Sequence, residues 1–248
     1  MSTKQKLNTA KRIVIKIGST LLVDPKSGMV HRKWLEALAE DIAKCQNHGQ
    51  QVIIVSSGAI AVGRRHLKLK SGKLKLEESQ AAAATGMIRL AHAYQEVLGH
   101  FDITVAQVLM TLDDSENRRR YLNARNTLET LLKIGAVPLI NENDTIATDE
   151  IRFGDNDRLA ARVTAMTTAD TLVLLSNIDG LYDRDPLVFD NAKLVPEVHG
   201  DIPEKIQNMA GTSKSYDGSG GMVTKLEAAR IALSAGSRMV ISDGSTSH

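Results

Sequence analysis

The segment IVIKIGS at residues 13–19 decides the fold class of this chain. A short apolar run that ends in a glycine turn is typical of a strand buried on both faces, followed by a turn into a helix. Five further apolar runs recur along the chain, at residues 52–55, 103–109, 137–140, 172–175 and 239–241. The runs predict a set of buried, mainly parallel strands.

Apolar residues at helical spacing separate these runs. The spacing predicts helices marked by Leu35 to Ile42, Met87 to Leu98, Tyr121 to Leu131, Leu159 to Met166 and Leu226 to Leu233. Strands that alternate with helices imply right-handed βαβ units, a parallel sheet and ligands at the carboxyl ends of the strands. We therefore expect an α/β protein with its chemistry at one edge of the sheet.

Length and composition favour a single globular domain. The chain has 248 residues, of which 42% are hydrophobic and 24% charged, and its formal net charge is only +2. With no linker and no repeat, we expect one domain over residues 1–248 and a weak division near Asn143. Only 3% of the residues are aromatic, which leaves little material for stacking on nucleic acid bases.

The chain also carries few signals for export or for redox chemistry. Cys45 is the single cysteine and follows a helical pattern, so we expect an inert side chain. Residues 1–11 are polar, and no window approaches about 18 uninterrupted apolar residues. We predict a cytoplasmic protein with neither a secretion signal nor a membrane span.

Glycine-rich turns and two lysines indicate a phosphate site. Turns follow the first two strands at Gly18 and at Ser57-Gly58, and a third, residues 218–224, precedes Lys225. Backbone N–H groups at such turns bind anionic oxygens, and Lys16 and Lys225 could reach the same phosphates as point charges. Each turn alone could serve geometry only, and each lysine could be a solvated side chain.

Two acidic clusters follow later strands. Residues 141–144 read NEND and residues 154–157 read GDND. Carboxylates at strand ends can hold an ammonium group, bind Mg²⁺ or orient a lysine. Asp155 or Asn156 could instead be a simple helix N-cap. Since the P-loop and protein-kinase motifs are absent from the sequence, those two classes are excluded.

Two excursions interrupt the alternation of strands and helices. Near-alternating apolar residues over 145–153 predict a hairpin that projects from the sheet. Residues 183–200 contain two prolines and are expected to be irregular with a short strand. Three arginines at 118–120 lie on a predicted helix, where a solvated or interface face is favoured over a nucleic-acid contact.

Taken together, seven segments closely resemble the amino acid kinase family. They occur in family order and are VIKIGST (14–20), VSSGAIAVG (55–63), RYLNARNTL (120–128), PLINENDTIAT (138–148), GDNDRLAA (154–161), GLYDRDP (180–186) and GSGGMVTKLEAA (218–229). The resemblance implies an open three-layer αβα sandwich with ATP at one side and an amino acid under the projecting hairpin. INEND and GDND resemble the members that phosphorylate the γ-carboxylate of L-glutamate to γ-glutamyl 5-phosphate, the first step of proline biosynthesis.

The resemblance also implies roles for individual residues. Lys16 and Lys225 resemble the family's phosphate-stabilising lysines, and Asp157 resembles the aspartate that orients them. Matches to the glutamate ligands are Ser57, Gly58, Asp144 and Asn156, with Asp155 beside them. Matches to the nucleotide-binding region are Lys16, Ser176, Asn177, Ser219, Gly220, Gly221, Met222, Val223, Thr224 and Lys225. Mg²⁺ is expected to ride on ATP, and no protein residue is assigned as its ligand.

The sequence departs from the family pattern in two respects, and other functions are compatible with it. Many relatives have Thr-Asp in place of Ser176-Asn177, and many continue into a C-terminal PUA domain that the sequence to His248 does not contain. A kinase for acetylglutamate, aspartate, uridylate or isopentenyl phosphate is the nearest alternative, and a silent amino-acid-binding regulator is another. The resemblance further implies inhibition by proline at a site overlapping that of glutamate, and a homo-oligomer built from dimers.

Overall fold

The computed structural model describes residues 7–70, 72–146, 156–184, 186, 188–200, 202–204, 206 and 221–246. Its strands are β1 Arg12–Ile17, β2 Gln51–Ser56, β3 Val105–Met110, β4 Val137–Glu142, β5 Thr171–Ser176, β6 Leu181–Tyr182, β7 Leu194–Val195 and β8 Arg238–Asp243. The main sheet has the order β3-β4-β2-β1-β5-β8, and every neighbouring pair in it is parallel. All six apolar runs are therefore confirmed as strands.

Helices connect the strands as the apolar spacing predicts. They are α1 Ser19–Leu22, α2 Arg32–Asn47, α3 Ala59–His66, α4 Leu76–Gly99, α5 Leu112–Glu116, α6 Arg118–Lys133, α7 Asn156–Met166 and α8 Met222–Ser234. The arginines at 118–120 form the first turn of α6, where Asn117 caps the helix by accepting from the backbone N–H groups of Arg119 and Arg120.

The sheet is the middle of three layers because its strands are apolar on both faces. On one side, Ile54 of β2 packs in a buried cluster with residues of α2 and α4. On the other side, Ile53 and Val55 pack in a second cluster with residues of α6, α7 and α8. Alternate residues of one strand thus face opposite helical layers. This confirms the α/β sandwich around a mainly parallel sheet.

Helices α3 and α4 cross at two glycines. A Cβ atom on Gly63 would overlap the carbonyl oxygen of Ala82, and one on Gly86 would overlap the carbonyl oxygen of Ala59. Both helices therefore depend on glycine for this close approach. The crossing fixes the start of α3 firmly against α4.

The two excursions have different outcomes. Between residues 183 and 200, the described residues are mostly irregular and include β7, which pairs antiparallel with β6, as expected. Most of the predicted hairpin, residues 147–153, lies outside the described residues.

Cys45 lies half-buried on α2, where burial raises the pKa of its thiol, in agreement with an inert side chain. In the part of the chain that the structure describes, no helix combines the length and apolarity that a bilayer crossing needs.

Candidate active site

The strand register brings the predicted turns to one edge of the sheet. Ile17, the last residue of β1, pairs with Ser56 of β2 and with Leu175 of β5. Ser57 and Ser176 lie one residue beyond these partners, beside Gly18. Since all the strands are parallel, their carboxyl ends meet at this edge, where α/β sheets bind ligands.

Lys16, Asp157 and Lys225 form a buried ionic cluster at this edge, which we call the lysine cluster. Lys16 Nζ lies 2.6 Å from Asp157 Oδ1, and Lys225 Nζ lies 2.9 Å from Asp157 Oδ2. Each carboxylate oxygen thus holds one ammonium group. The Asp157 side chain is fully buried, and the two lysine side chains are 8% and 7% exposed. A solvated role for either lysine is excluded by this burial.

The cluster explains the ionisation of Asp157. Burial by itself would raise the pKa of this carboxyl group, but the charges of Lys16 and Lys225 and the hydrogen bonds that they donate outweigh burial and hold the pKa below its ordinary value. The carboxylate therefore stays ionised at neutral pH. The two ammonium groups lie at the carboxyl ends of the strands, where their positive charge suits an anionic ligand.

Asn156 directly precedes Asp157 and makes a different set of contacts. Its Nδ2 atom lies 2.8 Å from the carbonyl oxygen of Ser56 and 2.7 Å from Ser57 Oγ, to both of which it can donate. Asn141 Oδ1 lies 3.3 Å from the same Nδ2 atom. The Asn156 side chain therefore binds the end of β2 and is more than a local helix cap.

The Ser57–Gly58 turn needs glycine at its second position. Gly58 has φ of 98°, in the left-handed region, and precedes the first residue of α3. An added Cβ there would also come within 3.0 Å of Val23 Cγ2. The geometry places the N-terminus of α3 beside Ser57, at the site edge.

The remaining predicted residues that the structure describes lie at or near the same edge. Asp144 is buried in the turn after β4, and Ser176 ends β5, with its Oγ 3.3 Å from Oδ1 of the exposed Asn177. Gly221 precedes α8, whose first residues are Met222, Val223, Thr224 and Lys225. Asp155, Ser219 and Gly220 lie outside the described residues, so their predicted roles stay predictions.

Three residues of this region, Ser56, Tyr94 and Asn141, were assigned no individual role from the sequence. The hydroxyl of Tyr94 on α4 lies 3.2 Å from Ser56 Oγ, and both groups are buried. Asn141, on β4, is also buried and accepts from the backbone N–H of Glu142 through the Oδ1 atom that faces Asn156. Asn141 belongs to a cluster that the sequence marked, whereas Tyr94 follows the helical apolar spacing and is indistinguishable from core there.

The described residues provide no cage for a metal ion. Outside the gaps in the described chain, no three His, Cys, Asp or Glu side chains come together in a way that could hold one. The lysine cluster contributes positive charge, which would repel a free cation. Lys16 and Lys225 instead suit the phosphate oxygens of a nucleotide, to which a divalent ion could already be bound.

Comparisons with known proteins identify relatives of this chain. The chain is 67% identical over 242 residues to "Glutamate 5-kinase" of Paramagnetospirillum magneticum and 61% identical over 235 residues to that of Rhodospirillum rubrum. These alignments cover 98% and 95% of this chain but 65% and 62% of the relatives, so the chain spans somewhat less than two thirds of their length.

Solved structures share the fold at much lower sequence identity. Carbamate kinase from Giardia lamblia bound to AMP-PNP has a TM-score of 0.65 at 16% identity and covers 97% of this chain and 94% of its own. An isopentenyl phosphate kinase substrate complex has a TM-score of 0.63 at 16% identity and covers 95% and 92%. The model of the family described as "Amino acid kinase family" matches residues 11–243, and this chain belongs to that family.

Proposed function

We propose that the chain transfers the γ-phosphoryl group of Mg-ATP to the γ-carboxylate of L-glutamate, giving γ-glutamyl 5-phosphate and ADP, the first step of proline biosynthesis. The main support for the proposal is the position of Asp157, which is buried between Lys16 and Lys225 and lies next to the Asn156–Ser57 contact. The similarity to two glutamate 5-kinases supports the choice of acceptor.

The reaction needs no general base. A glutamate side chain with pKa of about 4.3 is already ionised at neutral pH. One carboxylate oxygen attacks the γ-phosphorus while the bond from that phosphorus to the bridging oxygen of ADP breaks, and no proton moves. Catalysis is then a matter of positioning and of neutralising charge on the phosphoryl oxygens. Lys16 and Lys225 supply that charge, and Asp157 fixes both ammonium groups.

The acceptor side of the site is polar. Asn156 donates to Ser57 Oγ, so the proton of the Ser57 hydroxyl remains available to donate to a substrate carboxylate. The buried carboxylate of Asp144 suits the α-ammonium group of an amino acid. We assign Ser57, Gly58, Asp144 and Asn156 to glutamate, together with Asp155.

The nucleotide lies on the other side of Asp157 in this proposal. Ser176 and Asn177 end β5, and the residues from Gly221 to Lys225 form the start of α8, whose backbone N–H groups and helix dipole favour phosphate. Ser219 and Gly220 complete the segment. Mg²⁺ accompanies the nucleotide and neutralises its phosphates. The weak division near Asn143 would then separate a glutamate-binding part from a nucleotide-binding part.

Three further properties belong to the same proposal. Proline inhibits at a site that overlaps that of glutamate, because a shared pocket would present Asp144 to the imino group. The protein is a cytoplasmic homo-oligomer built from dimers. Sedimentation of the purified protein tests the oligomeric state directly, since a monomer would contradict it.

A chemical trap tests the proposed reaction. With Mg-ATP, the protein is expected to convert free L-glutamate into an acyl phosphate that hydroxylamine captures as a γ-hydroxamate. Aspartate is one methylene shorter and is expected to react more slowly, and N-acetylglutamate lacks the ammonium group and is expected to react least. If N-acetylglutamate is the best acceptor, or if uridylate supports ATP turnover without hydroxamate, the proposed function is wrong.

A further inference from the structure

Helix α4 contacts Ser56, the last residue of β2, directly before the Ser57–Gly58 turn. The hydroxyl of Tyr94 is fully buried and lies 3.2 Å from Ser56 Oγ. Ser56 Oγ in turn donates to the carbonyl oxygen of Ser57 at 3.3 Å. Since that bond uses the only proton of the Ser56 hydroxyl, Tyr94 must be the donor in its contact with Ser56.

The chemistry of Tyr94 agrees with this direction. Burial raises the pKa of its hydroxyl, and the hydrogen bond with Ser56 offsets only part of that effect. The hydroxyl therefore stays protonated and can always donate. The hydrogen bonds form an ordered chain that runs from Tyr94 to Ser56 and ends at the backbone of Ser57.

The same helix also holds the other side of the turn. Gly86 of α4 crosses Gly63 of α3 without room for a Cβ atom on either residue. Helix α3 begins at Ala59, directly after Gly58. Helix α4 therefore holds the end of β2 through a hydrogen bond and the start of α3 through a close packing contact.

Asn156 of α7 contacts the same turn through its side chain. It donates to the carbonyl oxygen of Ser56 at 2.8 Å and to Ser57 Oγ at 2.7 Å. The Ser56 and Ser57 positions are thus fixed from α7 and from α4 at once. The Asn156–Ser57 contact belongs to the site already described. The Tyr94–Ser56 contact is buried in the core.

We propose that Tyr94 is a positioning residue for the amino-acid substrate, which acts through Ser56 to hold the Ser57–Gly58 turn in its binding geometry. The inference rests on the proposed function, since it concerns how that reaction's acceptor is bound. Tyr94 itself contacts no substrate in this account. Its removal should weaken glutamate binding and leave the lysine cluster intact.

Tyr94→Phe tests the inference because it deletes only the hydroxyl and keeps the ring in the core. The KM for glutamate is expected to rise about tenfold, as for loss of one buried hydrogen bond, with kcat and the KM for Mg-ATP changed less than about twofold. Ser56→Ala should raise the KM for glutamate similarly. Adding Tyr94→Phe to Ser56→Ala should have little further effect, because the two groups act in series.

Ser237→Ala is the matched control. Ser237 is buried and its hydroxyl donates to the carbonyl oxygen of Ala169 at 2.7 Å, just before β8 and at the opposite edge of the sheet. This variant should lower the melting temperature about as much as Tyr94→Phe without changing the KM for glutamate. A simple loss of stability would therefore affect both variants alike.

The outcomes separate this inference from the proposed function. If the wild-type protein turns over glutamate and Tyr94→Phe leaves its KM within twofold, or raises both KM values equally, the inference is wrong and the function stands. If Tyr94→Phe fails to fold, an unchanged KM in Ser56→Ala still overturns the inference. A wild-type protein that does not phosphorylate glutamate overturns both.

Discussion

Two neighbouring residues at the start of α7 have opposite surroundings. Asp157 is fully buried and binds two ammonium groups, whereas Asn156 is half-buried and donates to a carbonyl and a hydroxyl oxygen. The first is ionic and the second is neutral. One helical turn therefore joins a charged region that suits a phosphoryl group to a polar region that suits an amino acid.

Substitutions in the two regions should therefore have different effects. Removing one charge from the lysine cluster leaves a buried charge without its partner, which is far more destabilising than the loss of one neutral hydrogen bond. Changes at Asp157 are therefore expected to affect stability and turnover, and changes around Asn156 are expected to affect substrate affinity.

The largest expected effect is on the stability of Asp157→Asn. This change removes the buried carboxylate that both Lys16 and Lys225 contact and should lower the free energy of unfolding by about 3–5 kcal/mol. Urea denaturation measures it. Asp41→Asn, which breaks an exposed pair with Lys44 at 3.0 Å, is the matched control and should change stability far less, because solvent screens the pair. Equal effects of the two variants would contradict the buried cluster.

Next in size is the effect of Lys225→Ala or Lys16→Ala on turnover. Each is expected to lower kcat about 10²–10³-fold with a smaller change in the KM for ATP, because the charge matters most in the transition state. Steady-state kinetics measures both constants. Lys44→Ala removes an exposed lysine and should leave them unchanged. A reduction of tenfold or less in both cluster variants would refute their assigned role.

Asp144→Ala should act on the amino-acid side of the site. Loss of a charge-assisted contact with the α-ammonium group is expected to raise the KM for glutamate about 10–100-fold, with a smaller change for ATP. Inhibition by proline should weaken in parallel. Asp190→Ala, at an exposed position, serves as the control. Equal changes for both substrates, or undiminished proline inhibition, would place the amino acid elsewhere.

The smallest expected effect is on acid stability, since burial and the two ammonium groups act on the pKa of Asp157 in opposite directions. The folded-state pKa lies below that of the unfolded chain, about 3.9. Its stabilisation is therefore present above about pH 4 and is lost as the pH falls through the folded pKa.

The acid effect is measured as the difference in unfolding free energy between the wild-type protein and Asp157→Asn, followed from pH 5 to pH 2. That difference should shrink as the pH falls, because the variant has no carboxyl group to protonate at this position. A difference that stays constant over the whole range would show that Asp157 does not titrate with a lowered pKa.

Much of the fold could be predicted from the sequence because its signals are local. A run such as residues 13–15 is apolar on both faces of a strand, and the structure buries it in that way. The order β3-β4-β2-β1-β5-β8 could not be predicted, since strand pairing depends on contacts between residues far apart in the chain.

The site residues also divide into those with a local sequence signal and those defined by contacts with distant residues. Lys16 could be predicted because a lysine inside an apolar run needs a partner, and the resemblance pointed to Asp157. Asn156 was open to interpretation as a helix cap, since its contact with Ser57 spans 99 residues. Tyr94 carried no signal, because one buried hydroxyl on an apolar helix face looks like core packing until its partner is seen.

The most direct test of the account compares Asn156→Ala with Asp157→Asn in steady-state kinetics with both substrates. Asn156→Ala should raise the KM for glutamate with kcat largely kept, because it loosens the Ser57–Gly58 turn. Asp157→Asn should lower kcat with little change in the KM for glutamate, because it releases the two lysines. If both variants change the same constant by the same factor, the division between a phosphoryl side and an amino-acid side of the site is wrong.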